Sequence, residues 1–136
     1  MMNRLLMTAL ALSGLALAAT PLIAHHSFAA QYDRAKQATL TGPVVRVDWI
    51  NPHASFFLEV KDAAGKATRW EVELSAPAML MRRGWTSTSL KVGEEITVNG
   101  SLAKDGSNMI NASTVKLSNG KQVFAGSSGD ADSPTP

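Results

Sequence analysis

The chain has 136 residues and a mass of 14.4 kDa, enough for one hydrophobic core and too little for two. Thirteen Lys and Arg against eleven Asp and Glu give a formal charge of +2, without the clustered basic face that a nucleic-acid reader uses to displace counterions. Apolar residues make up 45% of the chain and charged residues 18%, a globular composition and not a disordered one. The absence of cysteine removes disulfides, thiolate-bound metals, iron–sulfur clusters and thiol catalysis.

The first element is an export signal in outline. A short basic start at residues 1–4 precedes an apolar run over residues 5–19, which Thr20-Pro21 ends. The run falls short of the roughly 20 apolar residues that a spanning helix needs, so a removable signal peptide is favoured over an anchor. Small residues allow a cut after Ala18 or after Ala24, and the helix-breaking Pro21 just upstream favours the second. Residues 1–24 are then the signal peptide, and the mature protein begins His25-His26-Ser27-Phe28. Loss of the leader removes Arg4, so the mature charge is +1. The destination is the periplasm or the medium, with no membrane span left after cleavage. Residues 127–136, rich in Ser, Asp and Pro, read as a disordered tail.

Between these ends, residues 25–126 read as one β-domain. Val45, Val47 and Trp49 alternate with Arg46 and Asp48; Phe56, Leu58 and Val60 alternate with Phe57, Glu59 and Lys61; Trp70, Val72 and Leu74 alternate with Arg69, Glu71 and Glu73. This is the period of strands with one buried face. Asp62-Ala63-Ala64-Gly65 predicts a hairpin turn between the second and third strands. One stretch is helical in character: Ser75 as N-cap, Pro77 in the first turn, Arg82 and Arg83 at the negative end, and Gly84 as terminator. A fourth strand runs through Ile96, Val98 and Leu102, and a fifth through Ile110, Ala112, Val115 and Leu117. The phase slip between Ala112 and Val115 predicts a bulge. Asn119-Gly120 predicts a final small ribbon ending at Phe124. Three strands, one short helix between strands 3 and 4, and two more strands form the order of a mainly β, five-stranded OB-like Greek-key barrel, with a flat α+β sheet or a partly open sandwich as the alternative.

Few residues offer chemistry. The three histidines sit in two places, His25-His26 and Asn51-Pro52-His53. If processing leaves His25 first, its α-amine and ring Nδ1 can chelate one metal ion, and His53 or His26 can add a third nitrogen. Such a histidine brace is a nitrogen-rich tetragonal set that favours Cu(II). The bland alternative is that His25 and His26 are exposed terminal residues and that Asn51-Pro52-His53 is only a turn. Met79 and Met81 read as core residues of the helix before they read as Cu(I) ligands. Trp49 and Trp70 lie on the buried strand faces, and Trp85 packs beneath the loop after the helix. Arg69, Glu71 and Glu73 share the outer face of one strand and read as a solvated, charge-balanced surface.

The segments His25-His26-Ser27-Phe28-Ala29-Ala30, Asn51-Pro52-His53-Ala54, Arg82-Arg83-Gly84-Trp85 and Lys104-Asp105-Gly106-Ser107-Asn108 together resemble a family of small exported bacterial proteins known only as a domain of unknown function. The resemblance implies a small periplasmic OB-like barrel and assigns no catalytic residue. In chemistry alone, a terminal His25 is also similar to periplasmic copper carriers and to copper oxygenases that begin with histidine, whose folds differ.

The functional expectation is a non-enzymatic periplasmic carrier or buffer of a metal ion, copper above others, held by His25, His53 and His26. The alternative is an OB-type interaction module whose outer face, including Phe57 and the Asn51-Pro52-His53 loop, binds a protein, glycan or small ligand without metal. A copper-dependent oxidative enzyme is a third and weaker reading. The expected partners are the metal ion or another periplasmic protein, and no nucleic acid.

Overall fold

The structure, a computed structural model, describes residues 28–126. The predicted signal peptide, His25, His26 and the predicted tail lie outside those residues. A four-residue helix α1 (Phe28–Gln31) leads directly into β1 (Tyr32–Asp48), followed by β2 (Ser55–Lys61), β3 (Ala67–Glu73), helix α2 (Pro77–Arg82), β4 (Glu95–Ala103), β5 (Met109–Lys116) and β6 (Gln122–Phe124). The protein is mainly β, with six strands in the order β3-β2-β1-β4-β5-β6. Neighbours in that order pair antiparallel. In addition, β3 pairs with β5 in parallel, Glu71 opposite Met109 and Glu73 opposite Asn111.

The 17 residues of β1 make it longer than the alternation beginning at Thr39 suggests, because it already starts at Tyr32, and it carries a bulge. Val44 faces Leu58 while Arg46 faces Phe57, so Val45 is the extra residue and the inward face changes phase there. Leu40 and Val44 point into the core before the bulge, and Val47 and Trp49 pack against it after. Two such half-strands serve two parts of the sheet. Gly42 lies at the bend because a Cβ at that position would be driven into the Glu59 carbonyl. The predicted bulge in β5 is present as well: Asn99 faces Thr114 and Gly100 faces Ala112, leaving Ser113 unmatched.

The core is built from the inward residues of every long strand, among them Val44, Phe56, Leu58, Val72, Val98 and Ile110, all fully buried. Trp85 is buried with them, and Trp49 and Trp70 pack against the edge of the cluster. The turn over residues 62–66 forms as expected, with Asp62 Oδ1 accepting from the Ala64 and Lys66 amides and Gly65 at φ 79°.

Helix α2 departs from expectation in two respects. Its N-cap is Ala76, without a side-chain cap, and Ser75 is instead buried one residue earlier. The Ser75 carbonyl accepts from the Ala54 amide, which holds it in the β-ladder. Met79 and Met81 are exposed, not core, and Leu80 is the buried residue between them. A helix of six residues has only one inward stripe, and Pro77 and Leu80 occupy it at i, i+3 spacing.

Candidate functional site

Three segments far apart in sequence meet on the outer side of β3. The first is the β1–β2 loop, where the Asn51–Pro52 peptide is cis and Ala54 is fixed on both sides, its amide donating to Ser75 and its carbonyl accepting from the Leu74 amide. That anchoring places the preceding residue, His53, half-buried, with Nδ1 3.4 Å from Glu73 Oε1. The second is the start of β1. The Tyr32 hydroxyl donates to Glu73 Oε2 at 3.0 Å, and the ring is only 2% exposed. The third is β5, whose parallel register sets Asn111 beside Glu73, so that Asn111 Nδ2 donates to Glu73 Oε1 at 3.1 Å.

Glu73 is therefore the centre of the site and not a solvated surface residue. The alternation of β3 correctly directs its side chain outward, but the chain around Tyr32 covers that part of the outer face. The short helix α1 continues this cover. The Phe28 ring lies 5.7 Å from the Tyr32 ring, the Arg34 guanidinium sits 4.9 Å over Phe28, and the β4–β5 loop clamps the segment through Lys104, whose amide donates to Gln31 and whose ammonium reaches the Ala29 carbonyl. The same loop is fastened to β3, since the Glu71 amide donates to the Asn108 carbonyl. Asp105 braces the loop by accepting from the Ser107 amide and hydroxyl, which lowers its carboxyl pKa.

The carboxylates of Glu71 and Glu73 lie close enough to perturb one another's surroundings. Burial, then the charges of Glu73 and Asp48, raise the Glu71 carboxyl above its ordinary value, against a smaller opposing effect of Arg46. The Tyr32 phenol is pushed far above its ordinary value by burial, by the charge of Glu73 and by its hydrogen bond to that carboxylate. It is a permanent donor at any physiological pH. Arg46 is engaged with Asp48 at 2.8 Å and lies 5.5 Å over the Phe57 ring, on the row of β1 and β2 that faces Glu71.

Of the residues singled out from sequence, the structure brings His53 into a built arrangement, while His25 and His26 are outside the described residues. Among the described residues no group of three or more His, Asp or Glu side chains is arranged to hold a metal ion. Among the same residues no helix is long and apolar enough to cross a membrane. The sequence reading does not indicate Glu73 as the partner of His53, nor Tyr32 and Asn111 as donors to Glu73. The available signal is weak: Tyr32 is the only tyrosine of the chain, and it stands two residues after the first resemblance motif.

No curated protein matches the chain. A family model does, over residues 11–111, which include the whole array of Tyr32, His53, Glu73 and Asn111. The protein belongs to DUF6152, a family of unknown function.

Proposed function

We propose that the protein is an exported metal-binding carrier or buffer, that copper is its favoured ion, and that His25, His26 and His53 supply the donors once residues 1–24 have been removed. The observation that carries this reading is the position of His53 in the same contact network as the first described turn of the chain. His53 touches Glu73, Glu73 binds Tyr32, and Tyr32 packs against Phe28. His25 precedes Phe28 by three residues, a reach of at most about 10 Å of extended chain. The clamp of Lys104 on Gln31 and Ala29 makes that reach start from a fixed point. His53 alone would hold an ion weakly, so the amine and ring of His25 are required, and His26 is a further nitrogen next in sequence. Nitrogen donors without cysteine favour Cu(II) among the common divalent ions.

The finer fold reading belongs to the same proposal. Pairing of β1 with β2 and β4, of β3 with β2 and β5, and of β4 with β5 supports a ring β1-β2-β3-β5-β4, the connectivity of a five-stranded OB-like Greek-key barrel with α2 between strands 3 and 4. In such a barrel the loops between strands 1 and 2 and between strands 4 and 5 border the ligand face, and they contain His53 and Lys104. One observation favours the second reading, a metal-free interaction module: Arg46 over Phe57 gives this face a cationic and aromatic contact surface beside the Asn51-Pro52-His53 loop.

The test is copper titration of protein exported and processed to begin at His25, compared with protein carrying one extra N-terminal residue and with His53→Ala. The expected result is tight binding by the first and loss of at least tenfold in affinity in each of the others. Equal affinity in all three refutes the brace, and absence of copper binding in the first leaves the interaction module as the better account. N-terminal sequencing of the exported protein checks the start directly.

A further inference from the structure

We infer that Tyr32 and Asn111 lock Glu73 as a fixed acceptor for His53 Nδ1, so that His53 presents Nε2 to the metal ion and the carboxylate itself stays out of the coordination shell. The inference rests on the metal-binding reading above and assigns the atoms that do the binding and the residues that select the ion.

Glu73 has no idle oxygen. Oε2 accepts from the Tyr32 hydroxyl at 3.0 Å, and Oε1 accepts from Asn111 Nδ2 at 3.1 Å while facing His53 Nδ1 at 3.4 Å. Both donors are buried, Tyr32 at 2% and Asn111 at 3% exposure, so neither can turn to water if the carboxylate leaves. Swinging Glu73 away from this position would strand two buried donors, each at the full desolvation penalty of an unpaired polar group, so the side chain is held where it stands. The carboxylate is thus committed to the protein.

Its effect on His53 follows from the donor inventory. An ionised carboxylate only accepts, so a bare Nδ1 lone pair facing it would set acceptor against acceptor. The ring avoids this by carrying its proton on Nδ1, which leaves the lone pair on Nε2. This is the outer-shell arrangement of a carboxylate behind a metal-binding histidine, which fixes both tautomer and ring orientation. The His53 side chain retains 31% exposure, so a ligand has access to the ring. An imidazole nitrogen offered with the neighbouring carboxylate withheld disfavours Ca2+, Mg2+ and Mn2+, which require oxygen ligands, and favours copper. Tyr32 and Asn111 are positioning residues that act through Glu73.

The experiment reads the tautomer without metal. Imidazole 15N–1H spectra are recorded on metal-free protein for the wild type, Tyr32→Phe and Glu73→Gln, with His53 assigned by its loss in His53→Asn and folding checked by circular dichroism. The expected result is the Nδ1–H form of His53 in the wild type and a mixture of both tautomers in Glu73→Gln. Tyr32→Phe, which preserves the ring, should shift the population in the same direction by a smaller amount. In copper titrations of protein beginning at His25, Glu73→Gln should lower affinity about 10- to 100-fold, and Mn2+ should bind none of the variants. An Nε2–H form in the wild type, or a Glu73→Gln spectrum identical to wild type, overturns the inference. Tight Mn2+ binding that Glu73→Gln abolishes also overturns it, because the carboxylate would then be a ligand. A locked tautomer in protein that binds no copper sinks the metal reading and leaves the Tyr32–Glu73–His53 geometry standing.

Discussion

Removal of one oxygen atom, in Tyr32→Phe, tests the centre of this structure most directly. The substitution keeps the buried ring and its contact with Phe28 and deletes only the donor to Glu73 Oε2. A hydrogen bond to a charged group contributes about 1.5–3 kcal/mol. The Glu73 side chain keeps 17% exposure, so water can replace part of the lost bond and the expected loss lies at the low end, about 1.5–2 kcal/mol. For a domain of this size each kcal/mol corresponds to about 4–8 °C, so the midpoint of thermal unfolding should fall by roughly 10 °C at neutral pH without metal. The single variant alone does not isolate the pair, but a cycle with Glu73→Gln does. If the bond is as described, the two changes together should destabilise less than the sum of the singles, by about 1 kcal/mol. Additivity to within about 0.3 kcal/mol, the behaviour of independent sites, would refute it.

Gly100→Ala tests the close strand crossing, because the added Cβ would meet the Asn111 carbonyl and the Ala112 backbone; a loss of about 1–3 kcal/mol is expected in urea unfolding, and an unchanged midpoint would contradict the geometry. Glu71→Gln should stabilise the protein at pH 7. The folded state raises the Glu71 carboxyl above 4.5 through burial, Glu73 and Asp48, so ionisation opposes folding above the raised value and has no effect once both states are protonated. The gain should therefore disappear as the pH falls below about 4, and a gain that grew on acidification would reverse the assignment. Met79→Gln and Met81→Gln should each lie within about 0.5 kcal/mol of wild type, since both side chains are exposed; a loss above 2 kcal/mol in either would mean that α2 buries them.

The strands were legible because their chemistry is local. The alternation of Trp70, Val72 and Leu74 with Arg69, Glu71 and Glu73 specified β3 and its inward face, and Asp62 and Gly65 specified the turn before it. The phase slip near Ser113 was readable as a bulge for the same reason. Residues 32–38 were not readable, because Asp33, Arg34 and Lys36 break the period and the β1–β4 register jumps between Tyr32 and Gln37. Without that segment, its cover over the outer face is not visible in the sequence either, and Glu73 reads as a solvated residue. Partners 41 and 38 residues away in sequence decide its environment. His53 was legible as a candidate only through the scarcity of histidine, and nothing near it in sequence indicated a carboxylate behind the ring.

That carboxylate is a poor device for stability, which sharpens what it does. A partly buried ion with three polar partners loses hydration that its contacts only partly return, and apolar residues of similar volume often serve a fold as well or better. Replacing the whole set at once, Tyr32→Phe with Glu73→Met and Asn111→Leu, removes both buried donors along with their acceptor and leaves only His53, whose ring is open to water. The triple variant should therefore lie closer to wild-type stability than Glu73→Met alone, which strands the buried Tyr32 hydroxyl and Asn111 amide at about 1–3 kcal/mol each. If the network serves orientation, the same triple variant should hold its fold in circular dichroism while His53 samples both tautomers and copper affinity drops as far as in Glu73→Gln. A triple variant that unfolds would show that the polar set supports the fold itself. One that stays folded with undiminished copper affinity would show that His53 needs no carboxylate to aim it.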